Sequence, residues 1–125
     1  MNEITLSGAL QGEPELKFSG AGKAFCNFTV RVSEKAVAGQ ERKTSYFDCT
    51  VFGQLAENVA ESLRGGDRVI VSGKLEQQKW EKDGEKRSKI AIVVWDVGAD
   101  LRFVTVDVNR TERSDGTSEP ALASF

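Results

Sequence analysis

The sequence predicts an all-β chain: a five-stranded Greek-key barrel with one short helix between the third and fourth strands, plus an extra strand at the carboxy-terminal end. Three observations predict it. Apolar and polar residues alternate over five separate stretches, the pattern of strands that bury one face. A single stretch, Gly53 to Gly66, replaces that rhythm with a spacing of four. The 125 residues, 39% apolar and 29% charged, suit one globular domain with its own core, since a domain takes about 100–200 residues.

The elements follow in order. Ile4, Leu6, Gly8 and Leu10 alternate, Pro14 interrupts, and Leu16 and Phe18 resume before a Ser19-Gly20-Ala21-Gly22 turn. In the second strand Ala24, Cys26, Phe28, Val30 and Val32 share one face, and Phe25, Asn27, Thr29 and Arg31 share the other. After a polar loop at 33–43, Phe47, Cys49 and Val51 form an apolar stripe with Tyr46, Asp48, Thr50 and Phe52 opposite it. Leu55, Val59 and Leu63, flanked by Ala56 and Ala60, predict an amphipathic helix stopped by a glycine cap at Gly65-Gly66. Strand pattern returns with Val69, Val71, Gly73 and Leu75 and runs to Trp80, and Asp83-Gly84 is a hairpin-turn signal. Ile90 to Trp95 is apolar at both parities and is expected to be covered on both faces. Leu101 to Val106 supplies the extra strand. Three strands, a helix and two strands in this order are the arrangement of an OB-fold, whose helix plugs one end of the barrel.

The barrel domain is expected over residues 1–108. Residues 109–125 (NRTERSDGTSEPALASF) are expected to be a flexible polar tail, too poor in large apolar side chains to fold alone. The net charge of −2 resides in residues 107–125, in Asp107, Glu112, Asp115 and Glu119 against Arg110 and Arg113, and residues 1–106 are balanced. No field covers the whole molecule, so any attraction for a polyanion must come from charge gathered on one face.

Several chemistries are excluded by residue counts. Without histidine there is no imidazole acid–base catalysis and no histidine metal site. Cys26 and Cys49 are the only cysteines; reduced core thiols are expected, with a cross-strand disulfide as the alternative. Gly20-Ala21-Gly22 is a chain reversal rather than a phosphate loop. No carboxylate pair flanks an apolar pocket segment. No enzyme, metal or cofactor is therefore expected. No apolar run approaches the roughly 20 residues of a membrane span, and the amino terminus lacks a secretory signal. The cytoplasm is the expected location, without membrane contact.

What stands out is aromatic and basic residues sharing the parity that faces away from the core. Tyr46 and Phe52 lie opposite the Phe47/Cys49/Val51 stripe, and Trp80 shares parity with Lys74. Lys79, Lys82, Lys86, Arg87 and Lys89 gather round the hairpin of the 80s, with Lys35, Arg42 and Lys43 in the 33–43 loop. Flat rings among amines suit a single nucleic-acid strand, whose bases stack while its phosphates meet the cations. The same residues also fit rings packed between subunits and lysines that keep loops soluble.

Through ITLSGALQGEPELKF, AFCNFTVRVSE and YFDCTVFGQLAENVAESLRGGDRVIVSGKLEQQKW, residues 2–106 resemble the bacterial single-stranded-DNA-binding protein family. Cys49, AENVAESL and LRFVTV are similar to its actinobacterial branch, of which the chain looks like a short paralogue. The resemblance implies a homotetramer that binds and protects single-stranded DNA, whatever its sequence, in replication, recombination or repair, associated with the nucleoid. It implies that Tyr46, Phe52 and Trp80 stack on bases; a fourth stacking position of the family is Ala36 here. With them, Arg31, Lys35, Lys43, Lys74, Lys79, Arg87 and Lys89 complete the expected DNA site. It also implies that the strand at 101–106 clasps neighbouring subunits. Asp48, Gln54, Glu76 and Gln78 depart from the family, standing where relatives often carry cations. The ending SDGTSEPALASF lacks the acidic run and Pro-Phe tip through which relatives recruit replication and repair proteins, so that recruitment is not expected. Asp48, Gln54 and Glu76 favour a second reading, an oligomeric interaction or scaffold subunit with weak DNA affinity.

Overall fold

The computed structural model describes residues 1–34, 38–39 and 42–111. It contains β1 (Ile4–Leu10), β2 (Glu15–Phe18), β3 (Ala24–Ser33), β4 (Thr44–Phe52), α1 (Gly53–Ser62), β5 (Arg68–Lys82) and β6 (Glu85–Ala99). One sheet in the order β1-β5-β6-β4-β3 closes on itself where β3 returns to β1, with β2 lying along β3 beyond that point. All pairings are antiparallel except β4 with β6, which run parallel through Cys49–Ile92 and Thr50–Val93. This is the closed barrel expected of the OB-fold.

The expected first strand is split. β1 pairs Ala9 and Leu10 with Arg31 and Val30, and β2 pairs Glu15–Phe18 with Asn27–Ala24, so both halves follow β3. Between them Gly12 takes φ 81°, and Pro14 has no N–H to continue the ladder.

The period-two stripes become the core. Cys26, Phe28, Val30, Cys49, Val51, Val69, Val71, Ile92 and Val94 point inward and are buried, and Ala56, Val59 and Leu63 of α1 join them. Two glycines mark where strands crowd. A Cβ on Gly8 would strike the Arg31 carbonyl, and one on Gly73 would strike the backbone of Val93 and Val94. Beside Gly73 the β5–β6 register slips: Gly73 opposes Val94 while Ser72 opposes Asp96, leaving Trp95 as the extra residue of a bulge. Asp83 and Gly84 turn the hairpin with φ of 52° and 79°, the positive pair a type I′ turn requires.

Cys26 and Cys49 are free, buried thiols on neighbouring strands, opposite Val51 and Phe28 respectively. Burial, reinforced by the Asp48 charge, pushes the Cys49 thiol up to about 12. Burial and then Glu15 raise Cys26. Neither is a ready thiolate.

Three expectations need correction. The helix is not capped by glycine: it ends at Leu63 in extended conformation. Its last carbonyls accept instead from the Arg64 guanidinium, at 3.1 Å from Ala60 O and 2.8 Å from Leu63 O. Gly66, at φ 91°, turns the following loop so that its N–H reaches Leu10 O at 2.9 Å. The run from Ile90 to Trp95 is covered on both faces only in its middle, where Ala91, Ile92 and Val94 are buried, and not at its ends. Ile90 lies on ribbon that extends beyond the barrel and Trp95 on the bulge, and they are 58% and 48% exposed. The strand expected at 101–106 is a turn and bend at 101–103, followed by chain without regular structure, and all six residues are exposed. Within one chain no sheet edge meets it. The position where it leaves the barrel is nonetheless fixed. The Asp100 N–H donates to Arg68 O at 3.0 Å, and the buried Asp100 carboxylate accepts from the Arg102 N–H at 3.1 Å and lies 3.6 Å from Arg68 Nε.

Candidate functional site

The outward faces of β3 and β4 meet in five cross-strand rows: Phe25 with Phe52, Asn27 with Thr50, Thr29 with Asp48, Arg31 with Tyr46, and Ser33 with Thr44. Three rows are tied by side-chain hydrogen bonds, the outermost between the Ser33 and Thr44 hydroxyls at 3.2 Å. The Thr50 hydroxyl donates to Asn27 Oδ1 at 2.9 Å, and the Thr29 hydroxyl donates to Asp48 Oδ1 at 3.2 Å. Tyr46 and Phe52 are 59% and 56% exposed. That is unusual for large rings, which lose hydrophobic stabilisation when left in water.

From β6, Lys89 reaches across this face and places Nζ 3.4 Å from Asp48 Oδ2. A groove of about 650 Å³ results, lined by Phe25, Asn27, Asp48, Thr50, Phe52 and Lys89 among others. It reaches the β5–β6 ribbon at Gln78, which opposes Lys89; farther out on the same parity Trp80 opposes Arg87. Trp80 is 43% exposed.

The remaining expected residues divide. Lys74 lies on the same outward parity of β5, next to Glu76 at 3.9 Å. Arg87 pairs with Glu85 at 2.9 Å. Lys79 alternates to the opposite side of the ribbon from Trp80, level with Ser88. Lys43 is exposed just before β4, its carbonyl accepting from the Glu34 N–H at 2.9 Å. Lys35 and Ala36 lie outside the described residues. Among the described residues, Lys74, Arg87 and Lys89 each have a carboxylate partner, whereas Arg31, Lys43 and Lys79 have none.

Sequence reasoning did not single out Phe25, Asn27 and Thr29 as site residues. Their signal was present in the alternation, which puts all three on the parity of Arg31. The arrangement offers rings for stacking, cations for an anionic backbone, and amide and carboxylate groups between them. Among the described residues no cluster of three or more histidine, cysteine or acidic side chains could hold a metal ion, and no helix is long and apolar enough to cross a membrane.

The model of the "Single-strand binding protein family" matches residues 1–100, one residue past the end of β6. The "Single-stranded DNA-binding protein" of Mycobacterium tuberculosis is 41% identical over 96% of this chain and 79% of its own length. That of Mycobacterium leprae is 40% identical over 90% of this chain and 71% of its own length. That of Corynebacterium glutamicum is 39% identical, over 88% of this chain and 52% of its own length.

Proposed function

This chain belongs to the single-strand binding protein family, and we propose that it binds and protects single-stranded DNA of any sequence, as a non-enzymatic homotetramer in the cytoplasm. The observation that carries this is the exposure of Phe52 in the groove that Lys89 and Gln78 line, and of Trp80 on the same outward parity of the ribbon as Gln78, opposite Arg87. Bases stack on Phe52, Trp80 and Tyr46, and the rings accept any base because every base has a π-face. Phosphates meet Arg31, Lys35, Lys43, Lys74, Lys79, Arg87 and Lys89. Where a carboxylate already holds the cation, phosphate must displace it. Exposed ion pairs contribute only about 0–1 kcal/mol each, so the exchange is feasible but lowers affinity. The barrel domain, residues 1–108, carries this activity, and the tail from 109 is dispensable for it.

Titration with oligo(dT) tests this directly. Tryptophan fluorescence should be quenched on binding, and Trp80→Phe should remove most of that quench while retaining affinity. If no oligonucleotide binds at low salt, the proposal fails. The three paired cations favour the second reading, an oligomeric interaction subunit. It predicts an intact tetramer with negligible DNA affinity at physiological salt.

Tetramerisation is supported by apolar side chains left exposed in one chain: Ile70 and Trp95 on the barrel, and Leu101, Phe103, Val104 and Val106 after it. Truncation after Arg102 preserves the Asp100 contacts and removes most of this segment. Light scattering should then show dissociation toward dimers. A stable tetramer would assign the segment no role in assembly.

A further inference from the structure

The groove beside Phe52 contains polar groups that neither stacking nor phosphate neutralisation requires. Asp48 is held from two sides, by the Thr29 hydroxyl at 3.2 Å and Lys89 Nζ at 3.4 Å. A carboxylate has about four acceptor sites, so capacity remains, and the side chain is 53% exposed. Its neighbour Asn27 accepts from the Thr50 hydroxyl at 2.9 Å through Oδ1, which leaves its NH₂ group to donate.

An ionised carboxylate accepts and never donates. It also repels phosphate, so a strand whose phosphate takes Lys89 from it leaves Asp48 facing base edges rather than the backbone. Both pyrimidines offer an O2 that Asn27 can serve without distinguishing them. They differ at C4: cytosine presents an amino donor, thymine a carbonyl acceptor. The donor suits Asp48, whereas the carbonyl sets lone pair against lone pair.

Resting on the single-strand-binding reading, we propose that Asp48 biases this groove toward cytosine over thymine. The bias is superimposed on stacking that accepts every base, so it grades affinity without imposing a sequence requirement.

The experiment is competition: a fluorescently labelled mixed-sequence oligonucleotide is displaced from the full chain by oligo(dC) or oligo(dT) of equal length. It is run at mildly alkaline pH, where cytosine N3 is unprotonated. The deciding quantity is the dC:dT affinity ratio. Asp48→Asn, whose amide donates as well as accepts, should move that ratio toward thymine by about three- to tenfold, the effect of one hydrogen bond. Lys89→Met should weaken both oligonucleotides and leave the ratio on the cytosine side of Asp48→Asn. Should Asp48→Asn fail to fold, Asp48→Ser supplies the same comparison. An unchanged ratio, or a shift toward cytosine, overturns the proposal while leaving single-strand binding intact. Failure of the labelled strand to bind at all overturns both.

Discussion

From Arg68 to Gly73 the β5–β6 ribbon is a wall of the barrel; from Leu75 to Lys82 the same antiparallel ladder extends beyond it. In the first half Val69 and Val71 are fully buried, Gly73 touches backbone, and the Trp95 bulge bends the strand round the core. In the second half every residue from Leu75 to Lys82 except Gln78 is exposed. Cross-strand hydrogen bonds are common to both, so core contact is what separates them. A two-stranded ribbon without a packed face is marginal by itself, and the projecting half is held by register continued from the barrel and by the Asp83-Gly84 turn. The Asn2 side chain marks the junction: its amide donates to Leu75 O and accepts from the Leu75 N–H, at 2.8 and 2.9 Å, prolonging β1 by one side-chain rung. Trp80 and Arg87 therefore sit on the half with the lower local stability.

The sharpest way to break this comparison is to substitute one glycine in each half. Gly73→Ala drives a methyl into the Val93–Val94 backbone and should cost about 2–4 kcal/mol in urea unfolding. Gly84→Ala meets open space but keeps a positive φ, and should cost only about 1 kcal/mol. Its effect should appear as faster hydrogen exchange confined to the hairpin. Equal global losses would show that the ribbon is a single cooperative unit.

Next in size are the rings. Trp80→Ala and Phe52→Ala should each weaken oligo(dT) binding by about 1–3 kcal/mol, the range known for stacking in proteins of this kind, with melting temperature and oligomer size unchanged. Trp95→Ala should do the reverse and alter assembly first. A loss of tetramer in the first two variants would place those rings at an interface. Smaller again is the charge effect. Asp48→Arg releases Lys89 and adds a cation, so binding should tighten and the salt dependence should steepen. The slope of log K against log salt should change by about −0.7 for each phosphate gained; an unchanged slope would show that no phosphate reaches this row.

The smallest effect belongs to Asp100. The Arg102 N–H, then the Arg102 and Arg68 charges, hold its carboxyl below the ordinary 3.8 against the opposing pull of desolvation. A depressed folded value stabilises the fold above the unfolded pKa, and this contribution is lost as pH falls through the folded one. Melting temperature should therefore drop below about pH 4, and Asp100→Asn should flatten that drop. An identical acid profile in the variant would remove Asp100 from the account.

Much of the barrel was legible because period two is a direct imprint of one buried face. β3, β4 and the first half of β5 follow it residue by residue, and the outward parity of Tyr46, Phe52 and Trp80 came from the same rule. Where cover depends on the end of the barrel rather than on alternation, the rule failed. Ile90 and Trp95 are apolar yet exposed, since one lies past the barrel and the other on a bulge that resets parity. Local glycine chemistry misled at Gly65-Gly66 because Arg64 satisfies the helix end from its own side chain. The Asp48–Lys89 pair was invisible because the two residues meet only through β4 and β6, which local alternation does not pair. Asp100 with Arg68 and Asn2 with Leu75 were hidden for the same reason.

The parallel seam between β4 and β6 has a consequence for how the chain reaches its fold. Ile4 finds its partner only at Gly73, and Cys49 only at Ile92, so the ring cannot close until nearly the whole barrel sequence exists. During synthesis β3 and β4 can form a hairpin early, but β1 and β4 must each wait with an open edge while the later strands emerge. Contacts so distant in sequence slow folding, and unpaired edges held open during that wait are where chains pair wrongly with one another. For a protein of this architecture the vulnerable moment is on the ribosome, before Val94 has arrived to complete the wall.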